Sequence, residues 1–209
     1  CGIMSIKVLT AIDSFKGSLS TFQSGEAAKE GILRVFPEAE VIIAPLADGG
    51  EGTVSAITSA TGGEIRRALV HDPLGRKIVA EYGSLPDGTA VIEMSAASGI
   101  TLVSEKERNP LLTSTFGTGE LIRLAILDGC RKFIIGIGGS ATNDGGAGML
   151  EALGFELLDE NDKVIPRGAV GLSKIEKIKC DKAMAELSEC EFNIAICDAD
   201  KDFKIFAPV

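Results

Sequence analysis

Four aspartates and one lysine occupy the positions where an α/β chain most readily does chemistry. Asp13, Asp48 and Asp198 each close an apolar, strand-like run, Asp144 lies in the glycine-dense stretch IIGIGGSATNDGG (134–146), and Lys16 sits in the loop DSFKGS after the first run. Acids that end strands beside a phosphate site are what Mg²⁺ and a hydroxyl nucleophile require, one carboxylate to hold the ion and another to accept a proton. Their ordinary alternative is to cap the following helix. A lysine flanked by Ser14, Gly17 and Ser18 just after a buried strand reads as an anion contact.

Between Gly136 and Gly146 the chain places five glycines. Such density marks a tight turn or a backbone pressed against something. A strand-to-helix loop opens on a helix N-terminus, where unpaired N–H groups and the dipole favour an anion. Gly138 and Gly139 would let the backbone reach phosphate oxygens, and Ser140, Thr142 and Asn143 add small donors beside Asp144. Close helix–strand packing without a ligand is the competing explanation. The pattern D-G-G-x-G occurs twice, at 48–52 and 144–148, each time between a strand-like run and a helix, which suggests a shared task. G-x-x-x-x-G-K-[ST] is absent, and G-x-G-x-x-G fails at Ala141, which weighs against a dinucleotide fold.

The elements that must position these groups follow from periodicity. SIKVLTAI (5–12) and AEVIIAPLA (39–47) read as buried strands, and 21–36 and 53–63 read as helices. That order predicts a parallel sheet flanked by helices. From 64 to 92 short runs alternate with the turn pairs Asp72-Pro73 and Pro86-Asp87-Gly88, predicting antiparallel hairpins. A helix is expected within 113–130, with Thr118 as its cap, Glu120 in its first turn and Gly129 past its end. Residues 132–138 predict another buried strand, AGMLEALGF a helix, 155–165 a hairpin with an Asn-Asp turn, and 193–199 a last strand. The expectation is α/β: a flavodoxin-like (Rossmann-like) parallel-sheet domain begun by 4–63, and a second α/β domain over 64–209. In a parallel sheet the loops share the carboxyl edge, so Lys16 can reach the crevice of the 136–146 loop.

Composition bounds the function. A net charge of −9 argues against nonspecific binding of nucleic acid or anionic membrane, but not against a small anionic ligand. No apolar run approaches a membrane span and no secretory leader is evident. Five cysteines without a C-x-x-C pair, and a single histidine, argue against zinc and for free thiols in the cytoplasm. His71, before Asp72-Pro73, reads as a turn residue; Glu93 is expected to pair with a basic residue at the domain junction; Arg66, Arg67, Arg76 and Lys77 read as solvated surface.

DSFKGSLS, PLADGGEGTV, VIEMSAASG, RNPLLTSTFGTGELI, GIGGSATNDGGAGMLEALG and CDAD resemble, in order, the N-terminal half of the class I glycerate kinase family, from about Lys7 to Asp200. The resemblance implies Mg²⁺-requiring phosphorylation of D-glycerate by ATP, giving 2-phosphoglycerate (or 3-phosphoglycerate), and two α/β domains enclosing a cleft. On this reading the loop from Gly136 to Gly146, with Gly138, Gly139, Ser140, Thr142, Asn143 and Asp144, cradles an anion and Lys16 balances charge on the transferring group. Asp198, with Asp48, holds Mg²⁺ or orients the hydroxyl. Ser95 and Ser98, with Thr115 and Thr118, are candidates to hold the glycerate carboxylate, with Arg108 nearby in sequence. Family members run to nearly twice this length, and the family's C-D-V-x-N-P-L reads Cys197-Asp198-Ala199-Asp200-Lys201-Asp202-Phe203 here. The alternatives are a truncated, noncatalytic nucleotide- or acid-binding fragment, an oxidoreductase, and a half-domain that self-associates or pairs with a missing C-terminal half.

Overall fold

A computed structural model of the chain describes residues 6–13, 15, 18–46 and 49–195. β1 (Lys7–Thr10), α1 (Thr21–Val35) and β2 (Glu40–Ile43) form the first unit, with β1 and β2 parallel and Leu9 opposite Ile42. Ser20 starts α1 through a capping box: its Oγ accepts the Gln23 N–H at 3.2 Å, and Gln23 Oε1 accepts the Ser20 N–H at 2.9 Å. Gly25 lets the helix close on β2, because a Cβ there would lie 2.5 Å from Ile43 Cγ2. Thr21 Oγ1 donates to Ile12 O and Leu46 O, fastening the loops that leave both strands to the start of the helix.

α2 (Thr53–Thr61) follows β2 in the chain but packs on β3 (Glu64–His71), β4 (Lys77–Ser84) and β5 (Thr89–Glu93). These strands form an antiparallel meander, as the turn pairs predict. Next come α3 (Ser95–Ser98), α4 (Phe116–Leu127), β6 (Lys132–Gly136), α5 (Ala147–Ala152), β7 (Glu156–Leu158), β8 (Lys177–Lys179) and β9 (Glu191–Ala195). β6 and β9 extend the meander in parallel, giving a five-stranded sheet ordered β3-β4-β5-β6-β9. The expected α/β class is what forms, with parallel pairing at β1–β2 and across β5-β6-β9.

The core lies between this sheet and α4, where Val70, Tyr82, Ile92 and Phe133 meet Leu121 and Ile122, all 2% exposed or less. Burial of those side chains supplies the main stabilisation, roughly 1.5–3 kcal/mol for each large one. Two local expectations change. Thr118 is not the cap of α4: the helix begins at Phe116 after Thr115, and Thr118 Oγ1 is buried against Ser98 Oγ at 2.7 Å. Glu120 accordingly falls in the second turn. Residues 155–165 do reverse direction, with Asp162 at φ 57°, but β7 takes β8 as its antiparallel ladder partner and meets Val164 only in a single bridge.

Candidate active site

The carboxyl ends of β5, β6 and β9 lie side by side, and the loop after β2 reaches across to them. Gly136 ends β6 against that loop: a Cβ on Gly136 would stand 2.2 Å from Gly49 O. The Gly138 N–H donates to the same carbonyl at 3.1 Å. Gly49 has φ +82°, and a Cβ on it would meet Ala195 O at 2.8 Å. Part of the glycine density is therefore explained by backbone lying directly on backbone, where no side chain fits. Gly136→Ala, which must push two main chains apart, is expected to cost about 1–3 kcal/mol. The loss would be read as a fall in thermal midpoint of roughly 2–4 °C per kcal/mol for a chain of this size. An unchanged midpoint would contradict this packing.

The segment after β5 completes the edge. Met94 N–H donates to Gly136 O at 2.9 Å, Ile100 N–H to Gly139 O at 2.9 Å, and Ala141 N–H to Ser98 O at 2.8 Å. Gly139, Ser140 and Asn143 are exposed on the resulting rim, with Gly138, Thr142 and Ser95 half-buried. Ser140 Oγ lies 2.9 Å from Thr142 Oγ1 and accepts the Thr142 N–H at 3.0 Å. This rim is the part of the glycine stretch open to a ligand.

Other residues expected to bind are turned inward. Asp144 is 1% exposed. Its carboxylate accepts from Thr115 N (2.8 Å), Thr115 Oγ1 (2.9 Å), Ser114 Oγ (3.3 Å), Gly146 N (3.1 Å) and Gly148 N (3.2 Å). It thereby ties the start of α5 to the start of α4. Thr115 is committed to that clamp and also accepts the Met149 N–H at 3.0 Å, while Ser98 and Thr118 bond each other in the core.

Glu93, at the end of β5, is 8% exposed and corrects another expectation. Rather than pairing with a basic residue, its carboxylate accepts the Val54 N–H at 2.7 Å, with Gly52 and Thr53 N–H as further backbone donors. Burial pushes its carboxyl up from the usual carboxylate range, an effect those N–H groups oppose and Glu51 reinforces. The signal was present in sequence, since Glu93 ends an apolar strand as the aspartates do. Nothing local, however, identifies a helix start 39 residues earlier as its partner.

His71 does stand at the turn, ending β3; its N–H donates to Glu120 at 2.7 Å and its Nδ1 lies 2.9 Å from the same carboxylate. Arg66, Arg67, Arg76 and Lys77 are paired to carboxylates, and Arg76 also donates to Leu102 O. Arg108 is exposed. Ser18 lines a cleft of about 640 Å³ between α1, α2 and the sheet, together with Phe22, Glu51, Val79, Glu81 and Glu93. Ser14, Lys16, Asp48 and Asp198 lie outside the described residues. Among the described residues no group of three or more His, Cys, Asp or Glu side chains is arranged to hold a metal ion.

A sheet whose carboxyl edge gathers glycine loops and a bordering cleft defines an α/β protein of the class that binds small ligands at strand ends. The chain belongs to the glycerate kinase family, whose model matches residues 8–203. It is 46% identical over 210 residues to the glycerate kinase of Haemophilus influenzae, covering 97% of this chain and 56% of that protein. It is 47% identical over 194 residues to the glycerate 2-kinase of Escherichia coli K12, covering 92% and 51%. The crystal structure of a candidate glycerate kinase 2 from Salmonella typhimurium LT2 superposes with a TM-score of 0.80 at 45% identity, covering 91% of this chain and 51% of that one. The chain spans about half the length of the curated relatives it matches.

Proposed function

We propose that the natural protein carrying this sequence transfers the γ-phosphoryl group of ATP to a hydroxyl of D-glycerate, with 2-phosphoglycerate as product. The observation that carries the reading is the contact of Gly49 with Gly136, Gly138 and Ala195. Asp48 directly precedes Gly49, and Asp198 is three residues beyond Ala195, within about 10 Å along the chain. On this reading both strand-end aspartates would lie near the glycine rim. The E. coli relative's name supports position 2 as the acceptor.

In such a transfer the glycerate oxygen bonds to the γ-phosphorus, the bond to the ADP oxygen breaks, and the hydroxyl proton passes to a carboxylate. Lys16 would neutralise charge on the moving group, and the rim at Gly138, Gly139, Ser140, Thr142 and Asn143 would position an anion. The Asp144 and Glu93 carboxylates are engaged by N–H donors, and this reading assigns Mg²⁺ to Asp48 and Asp198 instead. Bound there, the ion would offset phosphate charge. Asp144, Thr115, Ser98 and Thr118 would support the rim from behind.

A first unit over 4–63 and a second over 64–209 belong to the same reading, with α2 joining them. So does a cytoplasmic setting, which the free Cys130, Cys180 and Cys190 support. The test is incubation of the natural protein with Mg·ATP and D-glycerate, with ADP release assayed and the product distinguished by ³¹P NMR. The expected product is 2-phosphoglycerate; 3-phosphoglycerate would move the acceptor position, and absence of ADP release would refute the reading.

A further inference from the structure

Three consecutive hydroxyl residues, Thr113, Ser114 and Thr115, lead into α4, and they do not all hold the same thing. Ser114 and Thr115 serve the Asp144 carboxylate before α5. Thr113 reaches elsewhere: its Oγ1 donates to Ala141 O at 2.8 Å, across 28 residues, in the middle of the glycine rim. The Thr113 side chain is 1% exposed. A β-branched residue has few χ1 choices, so in that packing its hydroxyl has a fixed aim.

Ala141 is gripped from two sides. Its N–H donates to Ser98 O at 2.8 Å, and its carbonyl accepts the Thr113 hydroxyl. The first contact holds the peptide plane between residues 140 and 141, the second the plane between 141 and 142. Because each plane is rigid, the two contacts together set where the Cα atoms of Ser140 and Thr142 stand. Those flanking residues present their hydroxyl oxygens 2.9 Å apart in an exposed contact. Just before them, Gly139 O accepts the Ile100 N–H and Ser140 forms a single antiparallel bridge with Gly99.

We infer that Thr113 is a positioning residue of the rim: it holds the 141–142 peptide and so sets the Ser140 and Thr142 hydroxyls for the anion, while Ser114 and Thr115 act on the Asp144 clamp. The inference rests on the kinase reading above for which anion the rim meets, but not for what Thr113 holds.

Thr113→Val keeps the β-branched shape and removes the hydroxyl. In the natural protein, assayed with Mg·ATP and D-glycerate, this variant should lose about 10²-fold in kcat/KM, the scale of an approximately 1 Å misplacement. Faster amide hydrogen exchange in a peptide covering 138–143 should accompany the loss. Thr113→Ser restores the donor and should return both readouts to within a few-fold of wild type. Where Thr113→Val does not fold, Thr113→Cys, with its weakly donating thiol, should show a smaller loss of the same kind. Wild-type kcat/KM in the hydroxyl-free variant would make the bond merely structural and overturn the inference. Thr113→Ser as impaired as Thr113→Val would show that bulk rather than the hydroxyl matters, and overturn it equally. Unchanged exchange in Thr113→Val would reject the hold on the rim. Should the wild-type protein phosphorylate no glycerate, the kinase reading fails by itself, and the exchange comparison still decides what Thr113 holds.

Discussion

Asp144→Ala is expected to destabilise the fold by about 3–5 kcal/mol, near the upper end of single-substitution effects. The carboxylate is 1% exposed and collects N–H groups from Thr115, Gly146 and Gly148 as well as the hydroxyls of Ser114 and Thr115. Truncation strips the partners from several buried donors at once, and leaving a buried donor unpaired costs about 1–3 kcal/mol. The neighbourhood cannot collapse to compensate, because a Cβ on Gly148 would already lie 2.1 Å from Ser114 Oγ. Asp144→Asn should fall between wild type and alanine: its oxygen can serve one group of donors, while its own NH₂ would face another. Chemical denaturation of the three proteins would test this. A shift within about 0.5 kcal/mol for alanine, typical of a surface site, would show that the clamp does not hold the two helices.

The Asp144 clamp also shows where sequence reading runs out. Strand and helix placement rests on local periodicity and turn chemistry, which is why α1, the hairpins around Asp72-Pro73 and Pro86-Asp87-Gly88, and the strand 132–136 were legible in the amino-acid order. The meeting of the two glycine loops was legible for a related reason, since loops that follow parallel strands share one edge. What could not be read was the assignment of each carboxylate. Asp144 reaches Thr115 across 29 residues and Glu93 reaches Val54 across 39, and both distances are set by sheet order rather than by neighbours in sequence. Thr118 misled in the same way. A threonine before an apolar run is a good cap, but its hydroxyl is taken by Ser98 from another element, and the helix starts three residues earlier, after Thr115. The glycines carried two duties in one stretch: Gly136 makes room for the Gly49 backbone, while Gly139 lies on the exposed rim.

Lys16→Met, in the natural protein, should lower turnover of glycerate by about 10²–10³-fold while leaving the thermal midpoint unchanged. The argument is electrostatic. The cleft that Ser18 borders is lined by Glu51, Glu81 and Glu93, and none of its described lining residues is basic. An ATP γ-phosphoryl group and a glycerate carboxylate brought against that wall would meet like charge, and a low-dielectric cleft magnifies the penalty. Beside Lys16 in sequence, Phe15 O accepts the Ser18 N–H at 2.7 Å and the Leu19 N–H at 3.1 Å, just before the Ser20 cap of α1. Arginine at the same position should restore part of the rate, because it keeps the charge but not the point geometry of an ammonium group. If charge neutralisation in the transition state is the role, the loss falls mainly on kcat. A loss confined to KM would instead make Lys16 a ground-state contact for the anion. Turnover within a few-fold of wild type would remove Lys16 from the site altogether.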